Sequence, residues 1–558
     1  MVVVAALGLL LRLWALGRHP FNADEAVVGV MARSILHGHF SAFYWGQNYG
    51  GGEPYVVAAV FALFGQSAFT LGITPILLDA IATSLVFALG RRLSSPTVGI
   101  GAALLFWIWP ESMLWQSTIE YGFRFATLDC GLGLAVIGLR IAANGDRHPT
   151  GAGGTSGRDQ RRRRVDLVAM GLLFGVGFWC SPEVAYFAIP IAAVLGFRLL
   201  RGRLRLGLVD VVAGLAAVIA GALPWLWSNL RSNFASFHPA TQPYPKLSEH
   251  YSMFTMHALP IALGLQLHGD GAWIGGERLG HAVELGSVVA VVIFLAWCLV
   301  ERRAGFLVAF CIVFPLLYSY WPFTWYWIDA RYVLYLPPIL AIVASTAACE
   351  LFAHLHLPTR ITLRHELIVL PVVLALALST TLVACYRLTP FRPDKVRGTP
   401  SATWTSFQSN PNDFEDTLAD DLTRVGVSHV FAGYWLAFPL TFVSGGSVTA
   451  SDILFSRNPT ILAEVSNSAD PSWLFADPKT PGFFRLVSIT GSTLLDPGCA
   501  LPGARCLTAP IFEALLARAA IPFRVAVIGS EGVVLVRPSR KIDLARIVSF
   551  VDAPAAVR

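Results

Sequence analysis

Two adjacent carboxylates near the start of the chain could act as a proton acceptor. Asp24 and Glu25 lie in the first turn of a predicted amphipathic helix, with Asn22 as its cap and Gly38 as its stop signal. Neighbouring helical residues point about 100° apart, so one carboxylate can face a cavity while the other orients it or holds a cation. An ionised carboxylate can accept the proton of an attacking hydroxyl. The simpler interpretation is that both acids compensate the helix dipole.

Further ionisable residues occur within or beside apolar segments. Arg124 and Asp129 lie at the start of one such segment, and Asp79 lies inside an earlier one. Ionisable groups inside membrane spans are rare and usually functional. Asp129 could instead form a buried pair with Arg124, and for Asp79 we favour structural pairing.

A polar aromatic stretch follows the predicted helix. It runs from Tyr44 to Glu53 with the sequence YWGQNYGGGE. Its rings, amides and glycines suit sugar stacking and close backbone approach, although an interfacial aromatic belt would have the same composition. The candidate substrate-binding residues in this stretch are Tyr44, Gln47, Asn48, Tyr49 and Glu53.

The elements that position these residues must be membrane helices. Of the 558 residues, 55% are hydrophobic and 14% are charged, whereas soluble domains have about 25% charged residues. The bilayer is therefore the main solvent, which excludes a cytosolic enzyme, a disordered scaffold and a nucleic-acid binder. Eleven apolar segments approach the span length of about 20 residues: 1–16, 71–90, 96–116, 122–143, 166–180, 183–200, 206–228, 282–300, 304–320, 331–349 and 366–386. The count depends on whether 166–180 and 183–200 are two spans or one broken helix.

The distribution of arginine sets the predicted topology. Arginines concentrate in alternate loops, at 91–92, 140–164, 198–205, 302–303 and 360–364. Cytoplasmic loops retain such residues, so we expect a multi-pass plasma-membrane protein with a cytoplasmic N-terminus. The run at 161–164 could also bind lipid headgroups or nucleic acid, although a topology signal is the simpler interpretation. The first segment lacks a small-residue cleavage site and is expected to be a retained anchor.

The chain after residue 386 has the composition of a water-soluble domain. Helical spacing at 413–425 and strand patterns at 427–431, 524–528 and 532–536 predict an α/β domain over 387–558. An odd number of spans places it outside the cell. Cys499 and Cys506 lie in this domain, where an oxidising exterior would let them pair as a disulfide.

Several short motifs together resemble the GT-C membrane glycosyltransferases. The resemblance covers roughly 1–386 and is strongest to the family 39 type, which includes protein O-mannosyltransferases and aminoarabinose transferases. A first span is followed by an outer loop, 17–70, in which the Asp24-Glu25 pair opens an interfacial helix. A second helix ends in the sequence LFG at 63–65, and the next span ends in GRRL at 90–93.

The resemblance also implies roles for particular residues. Asp24 matches the carboxylate that the family uses as catalytic base or to orient the acceptor, with Glu25 as its neighbour. Asp129 matches a second acid that approaches the same cavity. Arg331 and Tyr332 resemble the basic-aromatic pair that contacts the carrier phosphate, although Arg331 could instead extend to the membrane interface as a snorkelling side chain.

One departure from the family pattern affects phosphate binding. Relatives often place a lysine between the fifth and sixth spans, where this chain has the sequence SPE at 181–183. Phosphate binding should then depend more on Arg331, with Arg124, Lys246 or a divalent cation as helpers. No cofactor is certain, because no ligand spacing in the sequence implies a metal.

The expected function is therefore an inverting glycosyltransferase. It would move a hexosyl or pentosyl group from a polyprenyl-phosphate carrier in the membrane lipid to a hydroxyl of a cell-envelope glycan, lipid or protein. One alternative is a lipid or glycan transporter or flippase, although transporters usually show internal repeats and none is visible here. Another alternative is a non-catalytic assembly partner that binds through the C-terminal domain.

Overall fold

The computed structural model describes most residues up to 387 and shorter pieces beyond. The described residues are 2–16, 21–45, 49–146, 157–231, 234–237, 246–269, 271–301, 304–321, 324, 330–354, 359–387, 413–432, 434–452, 454–456, 482–485, 488–489, 492–493, 504–506, 509–518, 520–528 and 533–539.

The region up to residue 387 is helical. Its α-helices in chain order are α1 Val2–Leu16, α2 Ala23–Leu36, α3 Glu53–Phe64, α4 Ala68–Leu93, α5 Pro96–Ile108, α6 Glu111–Gln116, α7 Arg124–Asp146, α8 Gly157–Cys180, α9 Ala185–Leu200, α10 Leu208–Gly221, α11 Leu223–Arg231, α12 Leu247–Met253, α13 Leu259–Ala262, α14 Glu277–Val300, α15 Gly305–Tyr320, α16 Pro337–His354 and α17 Thr359–Arg387. Short 3₁₀ turns at Pro182–Val184 and Ala235–Phe237 and a π-helical turn at Phe254–Ala258 join some of them.

Several of these helices suit a bilayer. Within the described residues, four are long and apolar enough to cross a membrane, namely Ala68–Leu93, Arg124–Ala143, Pro182–Leu200 and Glu277–Val300. A fifth span results if α10 and α11, which meet at 62°, are one broken span. The predicted apolar segments fall on one helix or on consecutive helices, except that 331–336 of the segment 331–349 form turns and the helix begins only at Pro337. A membrane location is supported, whereas the count of eleven spans and their orientation remain predictions.

A buried ion pair joins the first helices. Arg12 of α1 donates through Nε to Oδ2 of Asp79 in α4, at 3.0 Å. The same guanidinium donates to the carbonyl of Trp107 in α5 at 2.7 Å and lies 3.7 Å from the centre of its ring. The structural pairing that we favoured for Asp79 is confirmed.

The described C-terminal part contains both helices and strands. Its elements are α18 Asp413–Arg424, β1 His429–Ala432, α19 Tyr434–Val443, β2 Thr449–Asp452, β3 Leu454–Ser456, β4 Gly482–Arg485, β5 Ser488–Ile489, β6 Ser492–Thr493, β7 Ala504–Cys506, α20 Ala509–Arg518, β8 Phe523–Ile528 and β9 Val533–Pro538. Five strands form a sheet in the order β2-β1-β4-β9-β8. Strand β1 runs parallel to β2 and β4, and β9 runs antiparallel to β4 and β8.

Helix α18 and strands β1, β8 and β9 lie where the sequence patterns predicted them. Leu418 and Leu422, the apolar stripe of α18, are buried. The domain boundary at 386 remains a prediction. The Cys499–Cys506 disulfide lies outside the described residues, since Cys499 is not among them and only the backbone of Cys506 is described.

Candidate active site

The start of α2 is held by reciprocal capping. The side-chain oxygen of Asn22 accepts a hydrogen bond from the backbone N–H of Glu25 at 3.1 Å, and Glu25 accepts one from the N–H of Asn22 at 3.2 Å. The second Glu25 oxygen accepts from the N–H of Glu120 at 3.4 Å. Glu25 is 1% exposed, so it acts as a buried cap, and Asp24 is the carboxylate that reaches accessible space.

Asp24 forms an ion pair with an arginine that lies 307 positions further along the chain. Arg331 donates through Nη1 to Oδ2 of Asp24 at 2.9 Å, and the side chains are 17% and 19% exposed. The guanidinium lies 4.2 Å from the centre of the Tyr121 ring, and the Tyr44 hydroxyl donates to the Asp24 carbonyl at 3.0 Å. The structure therefore brings together the predicted base and the predicted phosphate-binding arginine.

The backbone beside Arg331 is unusual. Ala330 has a φ of 58°, in the left-handed region, where a residue with a Cβ costs roughly 1–2 kcal/mol. Such residues cluster at functional sites, where the surrounding structure compensates the strain. Ala330 is buried, and its conformation directs the chain so that Arg331 faces Asp24.

A second arginine lies beside the first. Arg124 donates through Nη1 to the Arg331 carbonyl at 3.1 Å and to both carboxylate oxygens of Glu183 at 3.3 and 3.2 Å. Its guanidinium lies 4.4 Å from the centre of the Tyr332 ring. The Tyr335 hydroxyl donates to Glu183 at 2.7 Å. Two positive groups thus lie next to each other, and Glu183 offsets the charge of the buried one.

Sequence reasoning missed this role of Glu183. The sequence did carry a signal, because Ser-Pro-Glu at 181–183 marks a break between two apolar segments. In the structure this break separates α8 from α9, and the Ser181 hydroxyl accepts a hydrogen bond from the Glu183 N–H at 3.2 Å. A carboxylate stands where the family pattern suggested a lysine, and it binds Arg124. The alternative that Arg124 pairs with Asp129 is wrong.

Asp129 lies in a different environment from the one predicted for it. Both of its carboxyl oxygens are buried without a hydrogen-bond partner among the described residues. The carboxyl lies within electrostatic range of Asp79 and Glu53. No hydrogen bond joins it to Asp24 or Arg331 in the described part of the chain, so its catalytic role remains a prediction.

Two glutamates form a buried carboxyl pair beside α2. Glu53 accepts from the Ala126 N–H at 2.8 Å, Glu120 accepts from the Gly122 N–H at 2.8 Å, and the two carboxyl groups contact each other. Burial raises the pKa of both, and the charge of Glu53 raises the pKa of Glu120 further. A hydrogen bond between two carboxyl groups requires that one of them is protonated, and the raised pKa values of Glu53 and Glu120 favour that state. The sequence analysis missed Glu120.

The aromatic stretch packs inward in its described part. Tyr44 is buried and contacts the Phe123 ring edge-on, with ring centres 6.1 Å apart, and Tyr49 does so at 5.2 Å. The Tyr44 N–H donates to the Tyr49 carbonyl at 2.8 Å. The two tyrosine rings therefore pack against Phe123, and Tyr44 lies beside the backbone of Asp24. Gln47 and Asn48 lie outside the described residues.

Lys246 does not join the site in the described part of the chain. It is exposed and precedes α12, where its backbone N–H donates to Glu249 at 3.2 Å. No bond from Lys246 to Asp24 or Arg331 occurs among the described residues. Its role as a phosphate-binding helper remains a prediction.

The predicted divalent cation has no ready set of ligands in the described residues, where no three His, Cys, Asp or Glu side chains are grouped to hold a metal. Asp24 binds Arg331, Glu25 caps α2, and Glu53 contacts Glu120. Among the described residues these groups offer no built metal site, and the divalent cation remains a prediction.

Comparisons with known proteins identify the fold. No protein-family model matches the chain, and no curated protein matches it. The crystal structure of ArnT from Cupriavidus metallidurans in the apo state superposes with a TM-score of 0.58 at 14% identity, covering 96% of this chain and 97% of that one. The same protein bound to undecaprenyl phosphate gives 0.57 at 13% identity with the same coverage.

A more distant similarity extends to the Archaeoglobus fulgidus oligosaccharyltransferase in its apo form. It has a TM-score of 0.45 at 12% identity and covers 86% of this chain and 69% of that one. The match to ArnT extends over nearly the whole of both chains. This chain therefore has the GT-C fold of membrane glycosyltransferases, as the sequence motifs predicted.

Proposed function

We propose that this chain is an inverting glycosyltransferase that uses a polyprenyl-phosphate sugar. The observation that carries the proposal is the Asp24–Arg331 ion pair, which joins residues 307 positions apart at 2.9 Å within a GT-C fold. One member can accept a proton and the other can bind a phosphate. Both are partly exposed, so substrates can reach them.

The reaction is a single displacement. The acceptor hydroxyl oxygen attacks the anomeric carbon and passes its proton to Asp24. The bond from that carbon to the phosphate oxygen breaks, and its electron pair leaves on the lipid phosphate, where Arg331 stabilises the charge. The new bond forms on the face opposite the leaving group, so the configuration inverts.

The ion pair couples donor binding to activation of the base. Arg331 binds Asp24, so the donor phosphate competes with that carboxylate for the same guanidinium. When the phosphate takes the guanidinium, Asp24 is released toward the acceptor hydroxyl. The donor phosphate is a diester with one negative charge, and its two free oxygens can accept a pair of charge-assisted hydrogen bonds from the guanidinium in place of a partly exposed carboxylate.

Arg124 supports the phosphate site as a second positive group. Glu183 and the Tyr332 ring fix its guanidinium, which also binds the Arg331 carbonyl. Arg124 therefore orients the segment that carries Arg331. The structure of ArnT bound to undecaprenyl phosphate supports a polyprenyl-phosphate donor for this chain.

We propose a hexosyl or pentosyl donor, and a hydroxyl of a cell-envelope glycan, lipid or protein as acceptor. The arginine distribution supports a plasma-membrane protein with a cytoplasmic N-terminus and the C-terminal domain outside. The reaction would then take place at the outer face, where an envelope acceptor is available.

The test is sugar transfer by the purified chain in lipid nanodiscs, with radiolabelled polyprenyl-phosphate sugars as donors. Asp24→Asn should lower turnover by about 100-fold to 10,000-fold, because it removes the proton acceptor. Asp420→Asn is the matched control, since Asp420 is exposed on α18. Full transfer by Asp24→Asn would exclude Asp24 as the base. Carrier flipping without transfer by the wild type would favour a flippase.

A further inference from the structure

We infer that helix α19 of the C-terminal part is a positioning clamp for α2, the helix that carries Asp24. Arg33, near the end of α2, donates to the carbonyls of Thr441 and Phe442 at 3.2 and 2.9 Å. These carbonyls belong to the last turn of α19, where a helix lacks internal partners. A guanidinium there also complements the negative end of the helix dipole. The Arg33 guanidinium therefore joins α2 to α19 by two directional hydrogen bonds.

A glycine lets the two helices approach closely. A Cβ built at Gly29 of α2 would lie 2.3 Å from a ring carbon of Phe442, a distance that real contacts do not reach. The Phe442 ring is buried directly against the α2 backbone. Only glycine allows this arrangement. The packing of α19 against α2 therefore depends on the absence of a side chain at position 29.

The same phenylalanine contacts the segments on either side of α2. Its ring centre lies 5.2 Å from that of Phe21, next to the cap of α2, and 6.2 Å from that of Phe61 in α3. The guanidinium of Arg33 lies 5.3 Å from its ring centre. Phe442 thus ties together both ends of α2 and its neighbouring helix.

A second aromatic residue of α19 extends the contact to the loop after α2. The ring of Phe438 lies 6.5 Å from that of Trp45. The Trp45 N–H donates to the sulfur of Met31 in α2 at 3.4 Å. Helix α19 therefore contacts α2, which carries Asp24, as well as α3 and the loop between them.

The two ends of α2 are held from different sides. Arg331 holds the first turn through Asp24, and α19 holds the second half through Gly29 and Arg33. A helix is stiff over this length, so a displacement at Gly29 reaches Asp24. Gly29, Arg33 and Phe442 are positioning residues, and the C-terminal part determines the alignment of the base. The effect on turnover rests on the proposed function, whereas the docking of α19 does not.

The first experiment compares Gly29→Ala with Gly196→Ala in nanodiscs. Gly196 lies in α9 with open space around it, so it controls for the helix propensity of alanine. Gly29→Ala should speed amide hydrogen exchange in α19 and in the first turn of α2 several-fold. It should lower kcat by about 10-fold to 100-fold with little change in KM, since misplacing a catalytic group by about 1 Å has that cost. Gly196→Ala should change neither quantity.

A double variant separates positioning from general damage. Phe442→Ala removes the ring that Gly29→Ala would strike, so the added methyl should cost nothing further in the Phe442→Ala background. Arg33→Lys should retain more turnover than Arg33→Gln, because lysine keeps a positively charged donor of similar reach for the α19 carbonyls, whereas glutamine is shorter and neutral. Additive effects of Gly29→Ala and Phe442→Ala would overturn the clamp.

The two readouts also distinguish this inference from the proposed function. Unchanged exchange in Gly29→Ala would overturn the docking of α19. Faster exchange with unchanged kcat would overturn its positioning role. Absence of transfer by the wild type would contradict the proposed function, while the exchange measurement would still report on the clamp.

Discussion

Two arginine–aspartate pairs occupy different environments in this molecule. The Arg12–Asp79 side chains are 1% and 0% exposed, and the arginine also binds the Trp107 carbonyl. The Arg331–Asp24 side chains are 17% and 19% exposed. The buried pair joins α1, α4 and α5 and is shielded from solvent. The comparison shows that the same functional groups form a structural link when buried, whereas under the proposed function the partly exposed pair would exchange partners.

The energetics of the two pairs differ accordingly. Breaking a buried pair leaves an uncompensated charge in a medium of low dielectric, at a cost of about 3–5 kcal/mol. An exposed pair contributes about 0–1 kcal/mol to stability, because water and salt screen it. The partly exposed pair is therefore expected to contribute little to stability.

The largest effect on stability should come from breaking the sealed pair. Asp79→Asn should destabilise the protein by about 3–5 kcal/mol, since it strands Arg12. Thermal unfolding in nanodiscs measures this loss. The double variant Arg12→Leu/Asp79→Leu should recover most of it, because both charges are gone. A shift below about 1 kcal/mol in Asp79→Asn, such as we expect for Asp24→Asn, would remove the contrast between the pairs.

Replacing Arg331 should affect turnover and leave the fold intact. Arg331→Gln should lower the rate of transfer by about 100-fold to 1,000-fold, the usual cost of losing a donor that stabilises developing negative charge. Its unfolding temperature should stay close to that of the control Arg524→Gln, at an exposed position on β8. Arg331 would belong with the structural pair if the unfolding temperature fell while turnover was retained.

Glu183 tests an intermediate case, because it is buried but lies beside the exposed pair. Glu183→Gln should cost about 3–5 kcal/mol of stability, as for Asp79→Asn, because it leaves the buried guanidinium of Arg124 without its counter-charge. Tyr335→Phe removes only the neutral donor to Glu183 and should cost about 0.5–1.5 kcal/mol. Thermal unfolding of both variants measures the two losses of stability. A larger loss of stability in Tyr335→Phe than in Glu183→Gln would contradict the role assigned to Glu183.

The smallest effect concerns pH. Burial and the Glu53 charge raise the pKa of Glu120, so its contribution to stability is fully present below the ordinary glutamate pKa and is lost as the pH rises through the raised one. The change is at most about 1.4 kcal/mol per pH unit for one proton. The unfolding temperature of the wild type should fall more on going from acidic to alkaline pH than that of Glu120→Gln. Equal slopes would show that the pair does not share a proton.

Some parts of the site could be predicted from sequence because their signals are local. The Asn22 cap and the Gly38 stop define α2 within one stretch of chain, and Asp24 lies in its first turn. Asp24 and Arg331 were also singled out by short motifs. Each of these inferences needs only neighbouring residues, and the structure places the residues accordingly.

Other parts could not be predicted because they depend on residues that are distant in sequence. The Glu53–Glu120 contact arises from the packing of α3 against the start of α7. Glu183 pairs with Arg124 although 59 positions separate them. Arg33 binds α19 more than 400 positions away, with a sequence separation of 409 from Phe442. No local pattern marks such pairs, since the chain can bring an acid beside several bases.

The sequence by itself determined that the main part of this protein is helical and lies in a membrane, and it located the helix whose first turn carries Asp24. Hydropathy and helix capping could show this because they act over one or two turns of chain. Only the tertiary structure decided which carboxylate is exposed, which arginine each acid meets and how the C-terminal part contacts α2. Burial and charge pairing depend on the packing of whole helices, and burial determines whether an ion pair holds the fold together or remains available to a substrate.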